Sequence, residues 1–422
     1  MAKPLETWRK NLYVLWLSQF IAMMGMNLVV PFLPFYIQQL GVSSEQDVAR
    51  WSGLVYAGPF FVSFFLVPLW GVLGDKHGRK LMTVRAIFGL AISQALIGLA
   101  QNVEMLFVFR MVQGAISGFI AAALALVSAN TPREKSGYAI GLLQSASSSG
   151  GVIGPLVGGS LADAFGFRPI FFIVAGLCTV SGILVVRYVE ETNRHTPGSA
   201  SVPSIINNYR YSLRSKPIRV ALVIILVSQA AILMIQPIFA LFVESLETNK
   251  EYLATIAGAI FSTAGLFMVI SSPWWGKRND AMSYKKNLTI AVVGAGASFA
   301  AQGLVTHAYQ LILLRAVQGF CMGGILPTLY SYISKHSTAE RRGGVMGIAS
   351  SFNILASMIG PTFGGFLTAT IGLRQNFFVS GAVLLTGAAI VRVSFVDLRG
   401  SGGSLPAAVE NPSQPDYSVP DK

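Results

Sequence analysis

The sequence predicts an all-α polytopic membrane protein, with twelve transmembrane helices in two pseudo-symmetric six-helix bundles. Three observations carry that prediction. The chain of 422 residues is 53% hydrophobic and 12% charged. That is about half the roughly 25% charged share of soluble domains, too little to cover a water-facing surface. Its charges fall between apolar runs of about 20 residues, the length that crosses a bilayer core as helix. The chain also repeats itself. Arg110-Met111-Val112-Gln113-Gly114 returns 205 residues on as Arg315-Ala316-Val317-Gln318-Gly319, and Ile153-Gly154-Pro155 returns after 206 as Ile359-Gly360-Pro361.

The apolar runs place spans at 12–38, 50–73, 82–100, 105–129, 138–162 and 169–188 in the first half. The second half reads 218–243, 254–276, 287–306, 309–334, 344–369 and 375–396. The implied organisation is an N-terminal bundle over 1–188, a cytoplasmic linker over 189–217, a C-terminal bundle over 218–396 and a disordered tail over 397–422. The linker opens with the flexible Thr196-Pro197-Gly198-Ser199. Its later part, Ile205 to Leu213, reads as an amphipathic helix lying on the inner leaflet. Prolines at Pro31, Pro34, Pro59, Pro68, Pro155, Pro237, Pro273, Pro327 and Pro361 predict kinks, which neighbouring helices can accommodate.

A net charge of +13 would suit a nucleic-acid binder, but its distribution argues for topology instead. Segments on one side of the membrane collect Lys10, Lys76, Arg79, Lys80, Arg85, Lys135, Arg187, Arg214, Lys277, Lys335 and Arg342, among others. The opposite segments hold only Arg50, Arg168, Lys250 and Arg374. This asymmetry is the positive-inside rule, and it predicts both termini in the cytoplasm. The expected partners are the lipid bilayer and a small molecule, not nucleic acid, and the chain is expected to be a monomer. Cys178 and Cys321 lie in apolar runs with no disulfide framework and no metal-ligand spacing. No phosphate-binding glycine loop is present, and no cofactor is expected.

Four patterns stand out from this background. Gly71-x-x-x-Asp75-x-x-Gly78-Arg79-Lys80 sits between spans two and three, where a tight turn brings a carboxylate at a helix end near cations. The bland alternative is an ordinary basic loop. Its second copy keeps Gly276, Asp280 and Lys285 but not the glycine–arginine pair. Arg110-x-x-Gln113-Gly114 puts a guanidinium inside span four, at a cost of about 2.5–3.5 kcal/mol on insertion scales, so it needs a partner or a task. Snorkelling to the near interface competes with that reading, and for Arg315 a structural role weighs equally. Gly150-Gly151-x-x-Gly154-Pro155-x-x-Gly158-Gly159 places small residues on one face of span five, allowing close helix approach. Its second copy retains Gly360 and Pro361. Finally, Asn27, Tyr36, Gln144, Gln236, Phe239, Gln318 and Asn353 could line an apolar cavity with scattered polar groups. Helix-bridging amides account for the same residues without one.

The first three patterns resemble motifs A, B and C of the major facilitator superfamily, in its twelve-helix drug–proton antiporter group. The resemblance spans roughly residues 8–396. It implies two halves rocking about a central site, powered by a proton gradient, in a bacterial cytoplasmic (inner) membrane. By that resemblance Gly71, Asp75, Gly78, Arg79 and Lys80 form a gate, and Arg110, Gln113 and Gly114 take part in coupling. Gly150, Gly154, Pro155, Gly158 and Gly159 mark a hinge associated with export. The chain departs from the group in one respect, because no Asp or Glu lies deep within a predicted span. Asp163 and Glu244, the nearest, read as interfacial charges, which leaves the proton carrier unassigned. The expected function is proton-coupled efflux of amphipathic organic compounds, not an enzymatic activity. Export of one dedicated metabolite, proton-coupled import, and a non-transporting receptor remain as alternatives.

Overall fold

A computed structural model describes residues 4–116, 118–191, 202–247, 251–338 and 340–395, without the side chains of residues 4–6, 75, 133, 202–205 and 280. The predicted tail lies outside these residues. The first half contains Pro4–Val29 continued by Leu33–Gln39, then Glu45–His77, Arg79–Gly98, Val103–Ile116 with Phe119–Asn130, Ser136–Phe165 and Phe167–Tyr188. The helix Val202–Arg214 precedes the second half. There Lys216–Ile235 continues as Phe239–Leu246, followed by Leu253–Ala281, Tyr284–Gln302, Ala308–Lys335, Arg342–Ile371 and Leu373–Ser394. These are spans one to twelve. Ten are long and apolar enough to cross a bilayer by composition. The fifth and ninth reach spanning length but dilute their hydropathy with serine and glycine or with lysine.

Local signals explain the boundaries. Ser44 Oγ accepts the Asp47 N–H ahead of span two, and Ser283 Oγ accepts that of Lys286 ahead of span nine, each satisfying a helix-start donor. Gly78 joins spans two and three at φ 106°, Gly166 joins five and six at 79°, and Gly372 joins eleven and twelve at 96°. Only glycine enters that region freely. Span four departs from its prediction as one helix: it stops at Ile116 and restarts at Phe119, with Gly118 at φ 117°. The prolines act unequally. Pro31 and Pro237, 206 residues apart, each start a 3-10 turn that interrupts spans one and seven, Val30–Phe32 and Gln236–Ile238. Pro59, Pro68, Pro155, Pro273, Pro327 and Pro361 stay inside continuous helices.

The repeat extends to individual bonds. Trp70 Nε1 donates to Ala115 O at 2.8 Å, and Trp275 Nε1 donates to Phe320 O at 2.7 Å; each ties the second helix of its half to the fourth. Linker-side ends then diverge. In the second half Arg278 Nε donates to Asn287 Oδ1 at 3.1 Å, Asn287 Nδ2 to Asn279 Oδ1 at 3.0 Å, and Asn279 Nδ2 to Thr328 Oγ1 at 2.7 Å. The equivalents of those two asparagines and the threonine, 205 residues earlier, are Gly74, Met82 and Ala123.

Both described chain ends lie on the linker side. Asn11 exchanges hydrogen bonds with the Glu190 backbone at 2.7 and 3.0 Å, and the Phe395 ring lies 3.9 Å from that of Tyr332. The linker helix packs here too, since Tyr211 Oη donates to His336 O at 3.5 Å.

The halves meet on the far side along two seams, span five against eight and span eleven against two. A Cβ on Gly53 would lie 2.5 Å from Pro361 O, and one on Gly365 would lie 2.5 Å from Ala49 O. Gly258 faces Pro155 O, and Gly159 faces Ala254 O, in the same way. These are one contact pair written twice by the repeat. At the linker-side ends of the same four helices, Gly71, Gly141, Gly276 and Gly347 have no atom within 4 Å of an added Cβ. The bundle is closed on the far side and parted on the linker side.

Candidate functional site

Between the halves lies a cavity of about 350 Å³. The first half contributes Met23, Asn27, Ser147, Ser148, Gly151 and Val152. From the second come Ile232, Ile235, Gln236, Phe261, Ala264, Gly265, Met268, Arg315, Gln318 and Met322. Three of the amides proposed from sequence, Asn27, Gln236 and Gln318, therefore sit in the wall. Gln236 is presented by the 3-10 turn at Pro237, and its Oε1 accepts the Tyr56 hydroxyl from the opposite half.

The other cavity candidates fall elsewhere. Tyr36 is fully buried, donates to Ile97 O at 3.0 Å and packs its ring against Phe171. It braces spans one, three and six, because its hydroxyl found a helix-end carbonyl inside its own half. Phe239 lies behind the wall, 1% exposed. Gln144 is exposed on span five, Asn353 is half-buried on span eleven, and neither borders the cavity.

The two intramembrane arginines occupy equivalent positions with unequal surroundings. Arg110 is enclosed within the first half, where Nε donates to Val55 O at 3.2 Å and Nη1 to Gln113 Oε1 at 2.7 Å. It does not reach the cavity wall and does not snorkel, being 5% exposed. Arg315 lines the cavity. Its Nη1 donates to Gln318 Oε1 at 3.1 Å, while Gln302 Nε2 donates to the same oxygen at 2.8 Å. The Arg315 guanidinium sits 4.0 Å from the Phe239 ring centroid and 5.1 Å from that of Phe261, within cation–π range. Sequence reasoning placed the weight on Arg110; the geometry puts the cavity-facing cation in the second copy.

The glycine motif of span five has two jobs. Gly150, Gly154 and Gly158 bring its backbone against span one at Met24, Asn27 and Leu28, while Gly159 and the Pro155 carbonyl meet span eight. Gly360 and Gly364 repeat the first task against span seven at Ala230 and Met234. Gly114 packs on Pro59 of span two, the same close helix approach.

At the turn between spans two and three, the Asp75 side chain lies outside the described residues, and so does that of Asp280 in the second copy. Around Asp75 the motif is built on a carboxylate that sequence reading missed. Glu191 Oε1 accepts the Arg79 N–H at 2.9 Å and Oε2 accepts that of Lys80 at 3.1 Å. Gly78 has no side chain to cap span three, so Glu191 caps it from the end of span six. Arg79 Nη1 donates to Ala125 O at 3.0 Å and Lys80 Nζ to Val186 O at 2.9 Å. Gly71 stands open.

A second carboxylate lies on the far side. Asp163 Oδ1 accepts the Ala254 N–H at 3.1 Å, and Oδ2 accepts the Thr255 N–H at 2.7 Å and its hydroxyl at 2.6 Å. The sequence reading treated Asp163 as an interfacial charge. Its hydrogen bonds show a further task, bridging the halves.

Two six-helix halves related by a chain repeat, meeting around a shared cavity closed at one end, define a membrane transporter. A profile of the Major Facilitator Superfamily matches residues 15–301 and 222–415, and the chain belongs to that family. It is 35% identical over 382 residues to the multidrug resistance protein MdtG of Salmonella arizonae and of Salmonella newport, covering 90% of this chain and 94% of theirs. Among solved structures it is similar to a bacterial homolog of the human lysosomal transporter Spinster in an inward-facing, unoccupied conformation. That match has a TM-score of 0.74 at 15% identity, over 93% of this chain and 98% of that one. The nucleoside transporter NupG matches with a TM-score of 0.77 at 12% identity, over 92% of this chain and 100% of that one.

Proposed function

We propose that this chain exports amphipathic organic compounds by proton-coupled antiport, alternating the access of its central cavity between the two membrane faces. The observation that carries the reading is the cavity itself, walled by both halves, sealed by glycine seams on the far side and parted on the linker side. With the linker side cytoplasmic, as the charge asymmetry favours, this arrangement is an inward-facing carrier ready to load. Its wall of methionine, isoleucine and phenylalanine with three amides suits solutes having an apolar body and few polar groups. The MdtG relatives carry the name of multidrug resistance proteins, which supports efflux over import. We place the protein in a bacterial cytoplasmic membrane, working as a monomer with the proton gradient as its energy source.

The test is uptake of a panel of labelled amphipathic solutes into inside-out vesicles, with and without an imposed proton gradient. Gradient-dependent accumulation that collapses with a protonophore supports antiport. Accumulation only with the opposite gradient would make the protein an importer.

A further inference from the structure

We propose that Tyr56 and Gln236 form a catch worked from the cavity. Their hydrogen bond holds the halves together while the cavity is empty, and a solute that takes the Gln236 oxygen releases it. The inference deepens the reading of the chain as a carrier and rests on it. Gln236 lines the cavity, and its Oε1 accepts the Tyr56 hydroxyl from span two of the opposite half. Among the described wall residues, the other side-chain hydrogen bonds stay within one half. Asn27 Nδ2 donates to Met23 O at 2.8 Å, and Ser147 Oγ accepts Gln19 Nε2 at 2.8 Å. Gln318 bonds to Arg315, Gln302 and Met322. Gln236 is therefore where a solute, by hydrogen bonding alone, competes with the opposite half.

The two partners are unequally placed for that competition. Gln236 is half-buried in the wall, within reach of a solute, whereas Tyr56 is 8% exposed. A buried hydroxyl that loses its acceptor is costly, so taking the oxygen disfavours the closed arrangement. Span two carries the effect onward. Gly53, three residues before Tyr56, seals the far side against Pro361 O, and Val55 gives its carbonyl to Arg110 Nε at 3.2 Å. One side chain thus links the cavity both to the far-side seam and to Arg110, which does not border the cavity. Gln236 also sits in the 3-10 turn that interrupts span seven, and short 3-10 stretches often mark hinges. The repeat provides no second copy of the pair. Phe261 stands 205 positions after Tyr56, and Val30 stands 206 before Gln236. Neither of those side chains can hydrogen-bond, so the catch acts on one side only.

The experiment places spin labels at Gln46 and Thr370, exposed at the far-side ends of spans two and eleven. Cys178 and Cys321 are buried, so the labels go to the introduced positions. Pulsed EPR distances on the full-length chain in nanodiscs give the ratio of far-side-open to far-side-closed molecules. Without solute, Tyr56→Phe and Gln236→Leu should each raise that ratio about two- to tenfold, the range of one net hydrogen bond. The double variant should open no further than either single one, as expected of residues acting through one bond. Two probes then test release: 4-(1-naphthyl)butanamide, whose N–H can replace the Tyr56 hydroxyl at Gln236, and its N,N-dimethyl counterpart, which has no donor. The first should open the wild type about as far as Tyr56→Phe does, the second should not, and neither should add to a single variant. Unchanged distances in both single variants, additive effects of the two, no opening by the primary amide, or equal opening by both probes overturns the proposal. If a variant fails to reconstitute, the probe pair on the wild type decides. Flux of the primary amide into inside-out vesicles separates this inference from the carrier reading. Flux without opening by the probe keeps the carrier and rejects the catch, while opening without flux keeps the catch and rejects the carrier.

Discussion

Asp163 of span five accepts the backbone N–H of Thr255 at 2.7 Å and its hydroxyl at 2.6 Å, so a residue of the first half caps a helix of the second. Tyr252, at the N-cap position of span eight, makes no side-chain cap. The helix start thus relies on the opposite half for its acceptor, and helix N-termini favour negative charge. Parting the far side must break these bonds, which makes the pair a latch.

Replacing Asp163 by Ala should therefore weaken the closed far side by about 1 kcal/mol, the usual value of a cap. The predicted outcome is a severalfold rise in labelling of far-side cavity cysteines, with the protein still folded. Labelling that stays at the wild-type level would remove the latch role.

The seams themselves allow a harsher test. Gly258 lies against Pro155 O, and Gly53 against Pro361 O, so no Cβ fits while the halves touch. Gly258→Val should hold the far side apart and stop transport, while Gly276→Val, at an open linker-side position, should be tolerated until the cycle closes that side. Distances between spin labels on the far-side ends of spans five and eight should lengthen in the first variant alone.

Glu191→Gln removes the charge that accepts the Arg79 and Lys80 N–H groups. A cap of this kind is worth roughly 0.5–2 kcal/mol. We expect a lower melting temperature in detergent and faster amide exchange at the start of span three, with span nine unchanged. Equal exchange in both spans would contradict the assignment.

Arg110 is enclosed among first-half groups and does not border the cavity. Arg110→Gln should accordingly leave probe binding within about twofold while abolishing gradient-driven flux. Arg110→Lys should restore only part, since ammonium lacks the planar fork. Full gradient-driven transport by the glutamine variant would demote Arg110 to packing.

Much of the architecture was legible because duplication writes the same constraint twice. Arg110 and Arg315, or Pro155 and Pro361, fixed the two-fold relation before any helix was placed, and Asn27, Gln236 and Gln318 were recognised as polar groups inside apolar runs. What stayed hidden depends on partners far away in the chain. Tyr36 looks the same in sequence whether its hydroxyl faces a cavity or Ile97 O. Glu191 and Asp163 are single carboxylates near membrane ends, and only folding reveals that each replaces a missing cap on another helix. The unequal surroundings of the two arginines were hidden for the same reason, because the Tyr56 and Phe261 difference can be read from the repeat offset but the contacts of each guanidinium cannot.

The amide chain joining Asn279, Asn287 and Thr328 has a mechanical consequence. One arm of this molecule is fastened at its linker-side end by a relay of side chains joining spans eight, nine and ten, so each link needs a particular partner. At the matching joint of the other arm, Arg79 and Glu191 hold backbone groups instead, which almost any residue at those positions can offer. A duplicated gene can thus yield one clasp written in side chains and another written largely in main chain, although both are drawn from the same plan.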